Sequence, residues 1–275
     1  MTVSNSKIQN YKKFTIASYP GGKSNVKKHY PMYQAISQPI NYLVEPFAGL
    51  ANFYFITASK SSIQKVWLND FNPDIYALLT CIKDPDALQE LISWIGEINP
   101  IERDDYYQWK QRAPKSLLDQ AVRILIILNC SPNGAGGGYS VEKSHRNWYI
   151  NKPKIWTRLS KLLQSARITN LNYKIVLDEI IDNKHNPDII YLDPPYFNVA
   201  EKGKLYGKHN SLNWKEFKAV IDQLTCPWLM SNRDCSEMRN LFNNYQQFAY
   251  NTYNDMNNTR NKNPELLISN SLLNY

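Results

Sequence analysis

The stretch DIIYLDPPYF, residues 188–197, sets a carboxylate, two prolines and a tyrosine directly behind a run of β-favouring residues, Ile189 to Leu192. Pro194 and Pro195 each fix a φ angle and remove a backbone donor. The residue before each proline is also driven into an extended conformation. The product is a rigid acceptor array, the Asp193 carboxylate and the Pro194 carbonyl, with the Tyr196 ring beside them. Acceptors side by side under an aromatic face suit a planar group that bears an NH2, such as a nucleobase. A carboxylate after a buried strand can also cap a helix, but a cap does not require two locked positions behind it.

Three further segments carry chemistry. YPGGKS, residues 19–24, places two glycines before Lys23 and Ser24. The phosphate-loop spacing, GxxxxGK followed by Ser or Thr after a strand, is not met. A turn that presents Lys23 to a pocket, with a helix from about Val26, is the expectation, although a plain turn accounts for the glycines as well. LVEPFAGLANFYF, residues 43–55, reads as strand, tight turn at Gly49, then helix. Such turns let the backbone approach a nucleoside-containing ligand beside a helix N-terminus, and ordinary strand-to-helix punctuation would look alike. WLNDFNPDIY puts Asp70 at the end of a second strand, where dinucleotide-type folds bind ribose hydroxyls, while Asn72 ahead of Pro73 reads as a helix cap. Cys81, Cys130, Cys226 and Cys235 form no CxxC pair and lack histidines at metal spacing, so neither a disulfide framework nor a metal site is expected.

Bringing these residues together takes strands that end on one rim. INYLVEP (40–46) and QKVWLND (64–70) each run into an acid and then into helix-compatible sequence, and ARITNL (166–171) and DIIYLDPPY come more than ninety residues later. This alternation predicts an α/β fold with a mostly parallel sheet flanked by helices, and Glu45, Asp70 and Asp193 at its carboxyl ends. Residues 73–165 carry helical periodicity in PDIYALLTCI, DALQELISWI, LLDQAVRILIIL and IWTRLSKLL. That is too much helix for one crossover, so a mostly helical insert is expected between the two parts of one catalytic domain, 1–72 and 166–275. Within it, NCSPNGAGGGYSVEKSHRNWY, with a Gly-rich loop over 133–146, reads as a loop or hairpin. QQFAYNTY and ELLISN, at the end, read as an antiparallel hairpin. At 275 residues, 43% hydrophobic, the chain can build a large core and is no disordered adaptor. Its 32 Lys and Arg against 24 Asp and Glu give +8, which favours a polyanionic partner, nucleic acid first. The polar N-terminus has no apolar h-region, and the greasiest run, AVRILIILNC, is too short for a bilayer and carries Arg123. A cytoplasmic monomer that engages no membrane is the expectation.

In this order, YPGGK, VEPFAG, LNDFNPD, DPPY, LMSNRD (229–234) and PELLISN (264–270) resemble the Dam-type family of adenine-N6 DNA methyltransferases, which use S-adenosylmethionine. DPPY alone is shared by several amino-methylating enzymes; the ordered set, spread over nearly the whole chain, is far more restrictive. The resemblance implies a Rossmann-like methyltransferase sheet with a C-terminal antiparallel hairpin and an inserted helical DNA-recognition subdomain. It implies cofactor contacts from Tyr19, Lys23, Asp70 and Asp193, with Glu45, Phe47 and Gly49 in the cofactor turn. Ala51 departs from the family, which has a second glycine there, and Asn172 stands where the family often places an acid near the cofactor adenine.

An adenine amine is a poor nucleophile because its lone pair is delocalised into the ring. Asp193 and the Pro194 carbonyl, held by Pro195, would pull on its two hydrogens and stabilise the charge that develops on nitrogen. Tyr196 would stack on the target base, which must leave the duplex to reach it. Tyr139, Lys143, His145 and Arg146 in the Gly-rich loop, with Arg260 and Lys262 in the Asn-rich loop, are the expected contacts to double-stranded DNA. A cognate restriction endonuclease is a candidate partner. N4-cytosine methylation, RNA adenine methylation and a catalytically silent DNA-binding scaffold are the alternative functions.

Overall fold

A computed structural model describes residues 14–26, 28–35, 39–59, 62–197, 212–253 and 262–271. Strands β1 (Tyr42–Glu45), β2 (Lys65–Asn69), β3 (Ala166–Thr169), β4 (Ile189–Leu192), β5 (Trp228–Arg233), β6 (Gln246–Tyr253) and β7 (Lys262–Ser269) form a seven-stranded sheet in the order β3-β2-β1-β4-β5-β7-β6. The first five pair in parallel with one another. β7 runs antiparallel to both β5 and β6. The mostly parallel sheet with a C-terminal antiparallel hairpin is therefore what the chain builds. Successive strands step outward from β1 to β3 and then return to β4 on the other side of β1, and such a reversal opens a crevice at the carboxyl ends of the strands.

Strand side chains alternate between two apolar layers, as the period of two requires. Leu43, Leu68, Tyr191, Leu229 and Leu267 join one cluster. Val44, Trp67, Ile190, Leu192, Met230, Leu266 and Ile268 join the other. Burial on both faces explains why β1 and β4 read as nearly continuous apolar runs. The first face is covered by α2 (Asn52–Ala58), α3 (Pro73–Lys83), α4 (Pro85–Ile98), α5 (Arg103–Gln111), α6 (Leu117–Asn129) and α9 (Pro153–Leu163). The second is covered by α10 (Tyr173–Ile181), α11 (Trp214–Ile221) and α12 (Ser236–Leu241). The helical segment between β2 and β3 thus shares one core with the sheet. Among the described residues no helix is long and apolar enough to cross a membrane.

Several helices start where a side chain caps them: Asn72, Asp84, Ser116 and Asn172 each accept a backbone N–H of the following turn, which stabilises a helix by about 1 kcal/mol. Two boundaries differ from the sequence expectation. Helix α1 (Tyr30–Gln34) begins only at Tyr30, because Pro31 is tolerated in a first turn and not in a helix already running from Val26. The Gly-rich region is not irregular throughout. It holds a 3-10 turn at Pro132–Gly134, then α7 (Val141–Ser144), capped by Ser140, and α8 (Trp148–Asn151). Arg260 lies outside the described residues, and Lys262 is described through its backbone alone, opposite Tyr253.

Candidate active site

Strand alternation carries polar groups onto one face at the rim. Glu45 follows Leu43, Asp193 follows Tyr191, and Ser231 follows Leu229, each two residues on. β7 runs the other way, so its first residues, and not its last, reach this rim. Glu265 arrives there on the side of Leu267, opposite Arg233 of β5 and Tyr250 of β6.

Lys23, 2% exposed, spends its three N–H groups inside this cluster. Its Nζ donates to the Gly21 carbonyl at 3.0 Å, to the Tyr196 hydroxyl at 2.9 Å and to Asp193 at 2.9 and 3.1 Å. The Ser231 hydroxyl, 2.7 Å from that of Tyr191, donates to Asp193 Oδ1 at 2.9 Å. Oδ1 accordingly serves two donors and Oδ2 one, so Oδ2 keeps acceptor capacity. The Tyr196 hydroxyl donates in turn to the Glu265 carboxylate, at 2.7 and 2.9 Å. Burial works against the Lys23 charge, but Asp193 and Glu265 outweigh it and push its pKa up to about 12. Burial holds the Glu265 carboxyl above the ordinary range, with Lys23 and Tyr196 pulling the other way.

The other end of the cavity has a different character. Glu45, 1% exposed, has its pKa driven well up by burial, and its Oε1 has no partner among the described residues. Asn52 Oδ1, also buried, has none either. Asp70 accepts the N–H of Gly49 at 2.8 Å and of Asn72 at 2.9 Å, and burial pushes it up to about 6 against those bonds. Gly49 has φ +51°, and a Cβ there would lie 3.3 Å from the Tyr19 ring, so the turn needs glycine. Ala51, at φ 53°, adopts the same left-handed region without being glycine. Phe47 stacks on Tyr173 with ring centroids 5.2 Å apart, and Phe71 is 55% exposed at the mouth.

Tyr19, Lys23, Glu45, Phe47, Gly49, Asp70, Asn172, Asp193, Pro194, Pro195 and Tyr196 line this one cavity. Lys23 belongs to the Asp193 end, with no N–H left over for a ligand. Asn172 lines the wall while it caps α10. Tyr139, Lys143, His145 and Arg146 lie outside the cavity. Tyr139 donates to the Ile101 carbonyl at 2.8 Å, His145 lies 3.3 Å from Glu102, and Arg146 pairs with Glu142. Reasoning from sequence missed Asn52, Tyr191, Ser231 and Glu265. The parity of β5 and β7 was the signal available for the last two.

Buried oxygens without a donor suit a ligand's ammonium group, Asp70 at the tight turn suits hydroxyls, and the exposed ring at the mouth suits a flat base. The profile of the D12 class N6 adenine-specific DNA methyltransferase family matches residues 19–259. Among solved structures the chain is similar to a SAM-dependent methyltransferase from Agrobacterium tumefaciens, at 9% identity over 89% of this chain and 60% of that one, TM-score 0.39. It is similar to the rRNA methyltransferase aviRa from Streptomyces viridochromogenes, at 12% identity over 88% and 80% of the two chains, TM-score 0.37. A SAM-dependent methyltransferase from Neisseria gonorrhoeae matches at 12% identity over 90% and 66%, TM-score 0.34. The chain thus spans 60% of the Agrobacterium protein's length. No curated protein matches the sequence.

Proposed function

The chain belongs to the D12 class N6 adenine-specific DNA methyltransferase family, whose cofactor is S-adenosylmethionine, and on that premise we propose that it methylates the N6 amine of an adenine flipped out of duplex DNA. The observation that carries the reading is Asp193, a carboxylate fixed by Lys23 and Ser231 with acceptor capacity left on Oδ2.

The cavity residues fit the cofactor. Glu45 Oε1 and Asn52 Oδ1 would satisfy its ammonium group, Asp70 its ribose hydroxyls, and Phe71 its base. When bound, S-adenosylmethionine supplies an electrophilic methyl on a sulfonium. Asp193 Oδ2 accepts one N6 hydrogen and the Pro194 carbonyl the other, which localises the nitrogen lone pair. Transfer of that methyl to N6, with the bonding pair kept by the departing sulfur, would place a positive charge on the nitrogen. The positive charge that grows on nitrogen meets a carboxylate already oriented for it, and Asp193 takes the proton the nitrogen sheds. Tyr196, its hydroxyl tied at both ends, holds its ring still for stacking on the flipped base, and extrusion costs a few kcal/mol that such stacking helps to offset. Lys143, His145 and Arg146, outside the cavity, are the proposed phosphate contacts, with Arg260 and Lys262.

Incubation with labelled S-adenosylmethionine and mixed-sequence duplex DNA should give N6-methyladenine on nucleoside analysis. Asp193→Ala should lower the rate by about a thousandfold. A product of N4-methylcytosine, or a preference for RNA, would sink the substrate assignment.

A further inference from the structure

Lys23 touches Asp193 directly and reaches Glu265 through one hydroxyl, that of Tyr196. Asp193 has to act as an anion beside a nitrogen that becomes cationic, yet one ammonium at 2.9 Å would by itself cancel that charge. The second carboxylate changes the balance: one lysine against two ionised acids leaves the trio at a net −1, and one acid less leaves it neutral.

We propose that Glu265 is an electrostatic positioning residue: acting through the Tyr196 hydroxyl it shares Lys23 with Asp193, leaving this end of the cavity net negative, so that it prefers a cationic sulfonium ligand to its neutral thioether product. This deepens the reading above and rests on it, naming the residue that sets the charge of the same site.

The groups around Glu265 come from every neighbouring strand. Lys23 faces it from the N-terminal turn, Asp193 and Tyr196 from the end of β4, Tyr250 from β6, and Arg233 is its exposed ladder partner on β5. Tyr250 is 2.9 Å from His29 Nδ1, and burial lowers the His29 pKa to about 3, so that ring stays neutral. Arg233, in solvent, is screened. Glu265 itself is 6% exposed. Because its pKa is raised by burial, its charge is present at higher pH and lost as pH falls through that raised value. Asp70 also titrates in the cavity, but it serves the nucleoside part that both ligands share.

Calorimetry on the whole protein, without DNA, tests this with S-adenosylmethionine and S-adenosylhomocysteine as charged and neutral probes. The preference for S-adenosylmethionine, taken as the ratio of the two Kd values, should fall as pH is lowered through the raised Glu265 carboxyl value. Glu265→Gln should cut that preference about tenfold and remove its pH dependence, while Glu265→Asp should keep both. A folded Glu265→Gln protein with the wild-type ratio and pH dependence would overturn the proposal. The wild type alone gives a second measurement: a ratio that does not fall at any pH down to the acid limit of folding also overturns it. If wild-type protein shows these ratios but methylates no DNA, the activity reading fails and the charge assignment stands. If it binds neither probe, both fall.

Discussion

Asp70 combines a structural task with a place in the cavity wall. Its two oxygens hold the backbone N–H groups of Gly49 and Asn72, which sets the turn between β1 and α2 against the start of α3. Burial nevertheless lifts its pKa to about 6. The sign follows from linkage. The folded protein keeps this proton up to about 6, whereas an unfolded aspartate releases it near about 4, so Asp70 makes stability fall as pH rises between those values and stay level above them. Ribose hydroxyls need an acceptor, so cofactor affinity should run the other way, weakening as pH falls through about 6. Asp70→Asn puts an NH2 where the carboxylate faced an N–H. Binding of S-adenosylmethionine should then weaken roughly tenfold, equivalent to the loss of one charged hydrogen bond, and lose its acid limb. Calorimetry across that range checks this, and a wild-type affinity that does not change through it would contradict the role.

At the level of elements, the segment that leads into Tyr19 and Lys23 is held by the helical region between β2 and β3. Lys152 Nζ donates to the Thr15 carbonyl at 2.9 Å and Trp156 Nε1 to the Ile16 carbonyl at 3.1 Å. Gly134, at φ +69°, packs so closely that a Cβ would sit 2.3 Å from the Ser18 carbonyl oxygen. Gly134→Ala must therefore move the backbone that leads into Tyr19 and Lys23. A loss of about 2–3 kcal/mol in unfolding free energy is expected, with several-fold weaker cofactor binding. Gly137→Ala, whose Cβ would meet nothing within 4 Å, should change neither. Equal behaviour of the two variants in thermal melts would show that this contact does not position the turn. The same contacts mark the limit of the sequence. Asp193 to Tyr196, the Gly49 turn and the acids at strand ends are legible because each follows from residues adjacent in the chain. Glu265 reaches Tyr196 across 69 positions, and Ser231 reaches Asp193 across 38. Such pairs exist only once β5 and β7 are placed, and the direction of β7 decides which of its ends counts. Nor does glycine spacing reveal that Gly134 packs on Ser18, since this depends on how α6 and α9 share a core with the sheet.

The whole molecule carries +8, yet the cavity rim is built around acids, Glu45, Asp70, Asp193 and Glu265. Attraction for a polyanion has to come from surfaces around the rim, and association driven by such charge depends on salt. The short helices α7 and α8 offer one such surface. Val141 and Ile150 are each 60% exposed there, with Lys143 and Arg146 alongside. Arg146 already pairs with Glu142, so part of its charge is spent, which would leave Lys143 the better phosphate contact of the two. Trp148 of α8 shares an apolar cluster with Tyr191, two residues before Asp193. Lys143→Ala should then lower the slope of log binding constant against log salt by about 0.9, the value for one phosphate contact on duplex DNA, and leave cofactor affinity unchanged. Lys184, between α10 and the start of β4 at the amino ends of the strands and paired with Asp182, is the control, and its replacement by alanine should not alter the slope. If fluorescence titrations over a salt series give equal slopes for wild type and Lys143→Ala, DNA does not contact this residue. A change confined to Lys184→Ala would place the duplex at the amino ends of the strands.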